Sequence, residues 1–258
     1  MSLRNKILGT ACALALGAFA APAYASNFSG TIDGEYANLS ANGGGGHANS
    51  WGGNGSGVFD TGWSNLALQG DIGYHNLSAS GTNVNLFDIA ATPFLRMDHG
   101  RLGVTVGYTD AQNHGSTDIT NYGGFGEWFA GHAFTVGVKG GGFNANHGLN
   151  GAYVGAQLTG YVMPDFSLAG SVDYTSFSHS GHETDYNATA EYLISETTPI
   201  SVFGGYTYSE FSGSSQFNTW MIGLKFYCNG TGASTLVDRQ RAGNVGWAAK
   251  FTPLAAVF

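Results

Sequence analysis

Charge is what this chain has least of. Asp, Glu, Lys and Arg make up 10% of its 258 residues, where a soluble globular domain carries roughly 25%. So few charges do not clothe an ordinary water-facing surface. Bases are scarcer still, 9 against 17 acids for a formal net charge of −8, and that balance excludes a nucleic-acid partner, which would need a basic face. Only two cysteines occur, Cys12 and Cys228. Beyond the N-terminal stretch, no segment offers the roughly 20 apolar residues that a membrane-spanning helix requires. Helical periodicity is also missing from the rest of the chain.

The N-terminus supplies an export signal. Arg4 and Lys6 precede an apolar stretch from Ile7 to Ala21, and Ala23-Tyr24-Ala25 forms an A-x-A cleavage site, so residues 1–25 read as a signal peptide. Cys12 does not make this a lipoprotein signal, because it precedes most of the apolar region and Gly9 stands where a lipobox wants Leu. Cleavage removes Arg4 and Lys6 from the 9 bases and none of the 17 acids, leaving an acidic mature chain. It also leaves Cys228 alone, so no intramolecular disulfide can form and stability must come from packing and strand pairing.

What is abundant is glycine, at 42 residues, together with 13 Tyr, 17 Phe and 5 Trp. Disordered Gly-rich chains lack such aromatics. A chain poor in charge yet only 43% hydrophobic suits a body that is apolar outside and polar inside. Period-two alternation recurs almost throughout, as in Val202-Phe203-Gly204-Gly205-Tyr206-Thr207-Tyr208, where Val202, Tyr206 and Tyr208 share a face. Similar runs cover Ala152 to Val162, Phe166 to Tyr174 and Trp220 to Phe226, each near the ten or so residues a tilted strand needs to cross a bilayer.

The breaks between runs alternate in kind. Tight turns with aromatic or large apolar flanks fall at Met97-Asp98-His99-Gly100, Ala130-Gly131-His132, Met163-Pro164-Asp165 and Ser195 to Pro199. Looser polar breaks fall at Ser78 to Asn83, Gln112 to Asp118, Asn144 to Asn150, Ser178 to Thr184 and Ser212 to Gln216. Short turns on the periplasmic side and longer outer loops are the rule for transmembrane barrels. The expectation is an all-β, antiparallel, up-and-down transmembrane barrel over 26–228, with about twelve strands and both termini periplasmic. The spans are 28–39, 55–60, 64–78, 83–97, 101–112, 117–129, 132–145, 149–163, 166–178, 183–195, 199–211 and 215–228. The Gly-rich stretch from Ser40 to Asn54 reads as an outer loop and the second strand as a short one; losing it with the first would leave ten. Residues 229–258 break the pattern and read as a periplasmic tail. Pro253 argues against a final strand ending at Phe258, whereas Gly223-Leu224-Lys225-Phe226-Tyr227 has the pattern of a last strand.

On Ala23-Tyr24-Ala25, the alternating aromatic-rich strands and the Gly223 to Tyr227 segment, the chain resembles the bacterial outer-membrane β-barrel class, closest to small porin-like barrels of Gram-negative bacteria. The resemblance extends from Phe28 to Cys228. It implies outer-membrane lipid, the barrel-assembly machinery and small hydrophilic solutes as partners, with no cofactor, and it transfers no functional residues.

Taking the more apolar face of each strand as lipid-facing gives a lumen set of Asp33, Glu35, Asp71, Asp88, Glu127, Asp173, Asp185 and Glu191 with Arg96, Lys139 and Lys225. Such charges either pair into a rigid, occluded interior or set a negative potential along a narrow passage. Inward glycines, among them Gly73, Gly103, Gly107, Gly123, Gly137, Gly141, Gly151, Gly155, Gly205 and Gly223, either open that passage or face an inward aromatic such as Phe203 or Tyr153. Six histidines, His47, His75, His114, His147, His179 and His182, fall at or near the outer rim, where convergence would be required to hold a metal; ordinary loop roles are the simpler expectation. The pairs His114 with Ser116, His179 with Ser180 and His182 with Glu183 have the residue types of a nucleophile or base, but adjacency alone does not build a catalytic site. Trp63, Met97, Trp128, Phe129, Phe134, Tyr161, Met163 and Phe166 are expected to form an interfacial girdle. The functional expectation is a porin-like channel for small hydrophilic solutes with a narrow acidic lumen. A non-conducting structural or surface-interaction barrel is the alternative, and an outer-membrane enzyme a further one.

Overall fold

Tyr36 on the first strand lies opposite Trp51 on the second, and Trp51 lies opposite Asn76 on the third. That aromatic pairing involves the later part of the Gly-rich stretch. In this computed structural model, which describes residues 28–42, 46–63, 65–79, 82–112, 116–178, 181–195, 199–213, 215–229 and 234–249, residues 47–54 of that stretch belong to a full strand. The strands are β1 (Phe28–Ala41), β2 (His47–Asp60), β3 (Leu66–Ala79), β4 (Thr82–Met97), β5 (Gly100–Gln112), β6 (Ser116–Ala130), β7 (Phe134–Ala145), β8 (Asn150–Met163), β9 (Phe166–Phe177), β10 (Gly181–Leu193), β11 (Ile200–Phe211) and β12 (Gln216–Asn229). The expectation of a short strand over 55–60, with an outer loop over 40–54, is therefore corrected: β2 is 14 residues long. The physical reason is that a backbone ladder needs no side chains. In a closed barrel both neighbours satisfy each N–H and C=O, so Gly and Ser are tolerated when adjacent strands supply packing.

Each strand pairs antiparallel with its sequence neighbours, and β1 closes the barrel on β12 from Ser29–Asn229 to Ala41–Phe217. Twelve strands stand, and the ten-strand alternative falls. Turns at one end are tight, as at Asp98-His99 between β4 and β5 and Pro164-Asp165 between β8 and β9. Gly131 in the β6–β7 turn sits at φ 55°, a left-handed conformation that glycine adopts without a Cβ clash. Both ends of the barrel chain, Phe28 and Asn229, lie at this turn-side rim.

Alternation sorts the faces. Leu102, Val104 and Val106 of β5 are exposed outward with Val136 and Val138 of β7, Val154 and Leu158 of β8, and Ile222 and Leu224 of β12. Apolar residues thus cover the outside, as a membrane requires. At the turn end Trp63, Met97, Trp128, Phe134 and Met163 are exposed, and toward the other end Tyr36, Trp51, Tyr74, Tyr174, Tyr186 and Trp220 form a second outward aromatic set. Two residues expected in the girdle point inward instead, Phe129 and Tyr161, and both contact Arg241.

After β12 the chain turns back into the barrel. A short helix, α1 (Leu236–Ala242), is followed by a 3₁₀ turn at Trp247–Ala249. Leu236 is 0% and Val245 1% exposed, burial that the interior provides. Val245 and Ala248 pack against Val58, Ala67, Phe94 and Phe125 of the wall, with Trp247 beside them, and Leu236 packs on Leu193 and Tyr227. No described helix is long and apolar enough to cross a membrane.

Candidate functional site

The eleven charged residues assigned to the lumen all occupy inward positions, and the structure divides them. Asp33, Glu35, Glu127, Lys139, Asp173, Asp185, Glu191 and Lys225 line one cavity of about 480 Å³. Asp71, Asp88 and Arg96 lie apart from it. Asp71 accepts from Ser56 at 2.5 Å and Gln69 at 2.8 Å, Asp88 lies opposite Gly73, and Arg96 reaches Asp60 at 3.3 Å near the turn-side rim.

Three ion pairs organise the chamber among the described residues. Lys139 Nζ meets Asp173 at 2.9 Å, Lys225 Nζ meets Glu191 at 2.9 Å, and Arg101 meets Glu127. Each joins inward positions on neighbouring or nearby strands, where charges act at low effective dielectric. The remaining chamber acids have other partners: Asp33 accepts from Asn54 at 2.7 Å, Glu35 lies 3.6 Å from the His75 ring, and Asp185 accepts from Ser209 at 2.5 Å.

The inward glycines resolve toward aromatic packing at several positions. A Cβ on Gly223 would collide with the Phe203 ring, and one on Gly141 would sit 2.7 Å from the Tyr153 hydroxyl, which also crowds Gly123. These glycines receive neighbouring side chains that would otherwise project into the lumen. They widen the passage less than their number suggests.

The chamber's floor is the part that sequence reading missed. Gln240, Arg241, Asn244, Gly246 and Trp247 line it, together with Arg101. Thr235 caps α1, its hydroxyl accepting from the Asp238 N–H at 3.2 Å and donating to the Asp238 carboxylate at 2.7 Å, so Thr-x-x-Asp was a legible helix start. At the other end the Arg101 guanidinium donates to the carbonyls of Gln240 at 3.3 Å, Gly243 at 3.1 Å and Asn244 at 3.3 Å, a cation where the helix dipole is negative. Arg101 has the same parity on β5 as Gly103 and Gly107, and alternation alone would have placed it inside. Tyr161 donates to Gln240 Oε1 at 3.0 Å, Gln240 donates to Glu191 at 3.2 Å, and the Gln69 amide exchanges hydrogen bonds with the Val245 backbone at 2.6 and 3.0 Å.

The rim histidines do not converge among the described residues. His75 points into the lumen toward Asn54 and Glu35, which corrects its placement at the rim, while His182 stacks on the outward Tyr174 ring and His47 is exposed. His114 and His179 lie outside the described residues, as does the side chain of His147. No group of three or more His, Cys, Asp or Glu able to hold a metal forms among the described residues. Of the nucleophile and base pairs, His182 and Glu183 face opposite sides of β10, with Glu183 fully buried. Ser116 donates to Asp110 at 3.0 Å, and Ser180 is outside the described residues.

No family model matches the chain, and no curated protein matches it. Solved structures do. An outer-membrane channel from Pseudomonas putida F1 superimposes with a TM-score of 0.59 at 15% identity, covering 78% of this chain and 94% of that one. The translocator domain of the autotransporter NalP from Neisseria meningitidis gives 0.53 at 12%, covering 86% and 95%. A KdgM porin in complex with disordered oligogalacturonate gives 0.53 at 10%, covering 76% and 98%. At such identities the likeness is one of fold, and the fold is that of the bacterial outer-membrane β-barrels.

Proposed function

We propose that this protein is an integral outer-membrane, porin-like channel for small hydrophilic solutes, with both termini on the periplasmic side and an acidic, cation-favouring lumen. The observation that carries the reading is the chamber itself. Its wall and floor present six carboxylates (Asp33, Glu35, Glu127, Asp173, Asp185, Glu191) and four bases (Arg101, Lys139, Lys225 and, from the floor, Arg241) around about 480 Å³. Apolar ligands are held by apolar pockets with few polar groups, whereas charged side chains recur all round this chamber. Three of the bases pair with Glu127, Asp173 and Glu191, and Arg241 binds the backbone carbonyls of Gly131 and Phe134. Six carboxylates against four bases leave a negative residual sign, with Asp33, Glu35 and Asp185 outside the ion pairs. The apolar exterior with its aromatic sets supports residence in lipid, and the short turns beside the termini support the assignment of sides. Two of the structural neighbours are described as a porin and as an outer-membrane channel.

Planar-bilayer recording of the refolded protein in a salt gradient tests this. The expected result is discrete conductance with a cation-selective reversal potential that moves toward zero in Asp33→Asn/Glu35→Gln/Asp185→Asn. An unchanged reversal potential would reject the acidic lumen. A second reading, a non-conducting structural barrel, is favoured by one observation, the segment lodged in the lumen. Absence of conductance from every variant would establish it.

A further inference from the structure

Residues 234–249 add no strand to the barrel. The wall is closed by β1 on β12 along their length, so the inserted segment could leave without breaking a strand pairing. Its hold on the wall is made of side-chain packing and discrete hydrogen bonds: Val245, Ala248 and Leu236 pack on apolar wall residues, the Gln69 amide binds Val245, Asn244 donates to Thr31 at 3.1 Å, and Pro164 O accepts from the Leu236 N–H at 2.8 Å. It remains tethered to β12 at the turn-side rim.

The wall is nonetheless shaped to receive it. A Cβ on Gly155 would stand 2.9 Å from Trp247 Cζ2, and one on Gly137 3.4 Å from Trp247 Cζ3, so the two inward glycines leave a slot for the indole. Within it, Trp247 Nε1 donates to Asp173 at 3.0 Å and Lys139 Nζ lies 4.2 Å from the ring centroid. The indole therefore joins the Lys139–Asp173 ion pair of the chamber wall. A second anchor is Arg241, which donates to Phe134 O at 2.7 Å and is flanked by the rings of Phe129 and Tyr161 at 4.8 and 5.2 Å.

Resting on the channel reading, we propose that residues 234–249 are a displaceable gate: a tethered plug that closes the turn-side mouth when Trp247 sits in the Gly137–Gly155 slot and opens it when the segment withdraws. The slot is specific to one side chain and ties the segment to an ion pair of the chamber wall. Trp247 is therefore the latch.

The test is single-channel recording of full-length protein, with folding verified by heat-modifiable mobility on gels. Trp247→Ala removes the latch and should raise open probability by about tenfold or more, given the loss of one cation–π contact and one charge-assisted hydrogen bond. Independently, Thr31→Cys/Asn244→Cys in a Cys228→Ser background joins two side chains already in contact. Oxidation should then abolish openings and dithiothreitol should restore them. Equal openings in the wild type, Trp247→Ala and the oxidised double-cysteine protein would overturn the gate and leave the channel reading standing. Silence in all of them, the reduced protein included, would overturn the channel reading and the gate with it.

Discussion

Glu191 accepts four hydrogen bonds in the interior, and its replacement by Gln gives a quantitative test of how that interior is held. Oε1 accepts from Ser201 at 2.6 Å and the Tyr227 hydroxyl at 2.5 Å, while Oε2 accepts from Lys225 Nζ at 2.9 Å and Gln240 Nε2 at 3.2 Å. Gln can keep the first two through its remaining oxygen, but its NH₂ then faces two donors. Removing one partner of a buried pair costs about 3–5 kcal/mol. The lower figure applies here because the Lys225 side chain is 24% exposed and regains water when orphaned. A loss of about 3 kcal/mol is expected, or a fall of about 1–2 M in the urea midpoint for m-values of roughly 1.5–3 kcal/mol/M. Adding Lys225→Met removes the stranded ammonium and should recover about 2 kcal/mol. The assay is reversible urea unfolding from lipid vesicles, followed by tryptophan fluorescence. A Glu191→Gln midpoint within the error of wild type, or a double variant as unstable as the two single losses combined, would refute the hub. Because Gln240 belongs to the plug, the same variant should also increase channel openings.

On the lipid face, Val106→Arg places a charge in a row of outward valines and leucines and should destabilise the folded barrel by about 2–4 kcal/mol if the site lies at the bilayer midplane; the same vesicle titration measures it, and a neutral result would mean that this face meets water. For the assignment of sides, in a Cys228→Ser background Asn42→Cys should react with a membrane-impermeant maleimide on intact cells and His99→Cys should not. The reverse pattern would invert the barrel.

The strands, their faces and the inward parity of the charged positions were legible because period-two alternation is a local property, and closure into a barrel follows once enough amphipathic strands are present. β2 was obscured because its inward and outward positions are filled by Gly, Ser and Asn, which carry no alternation. Its strand character lives in the ladder and in Trp51 against Tyr36 and Tyr74. Phe129 and Tyr161 were misplaced for a related reason. Proximity to a turn suits an aromatic to the membrane interface, but parity decides the face, and parity sends both inward, to the Arg241 they grip.

The plug was hidden for a different cause. Its helix is seven residues long, too short to show a periodic stripe, and its partners are spread over Thr31, Gln69, Arg101, Lys139, Asp173 and Glu191, which no local pattern connects. Composition carries a trace of it all the same. A barrel whose wall charges were meant only to face water would have no use for Gly137 and Gly155 side by side with Lys139 and Asp173. Glycine weakens a strand, and here that cost is offset by room for an indole on an ion pair. A chain that carries its own tryptophan to fill that room also holds the means of closing its own lumen.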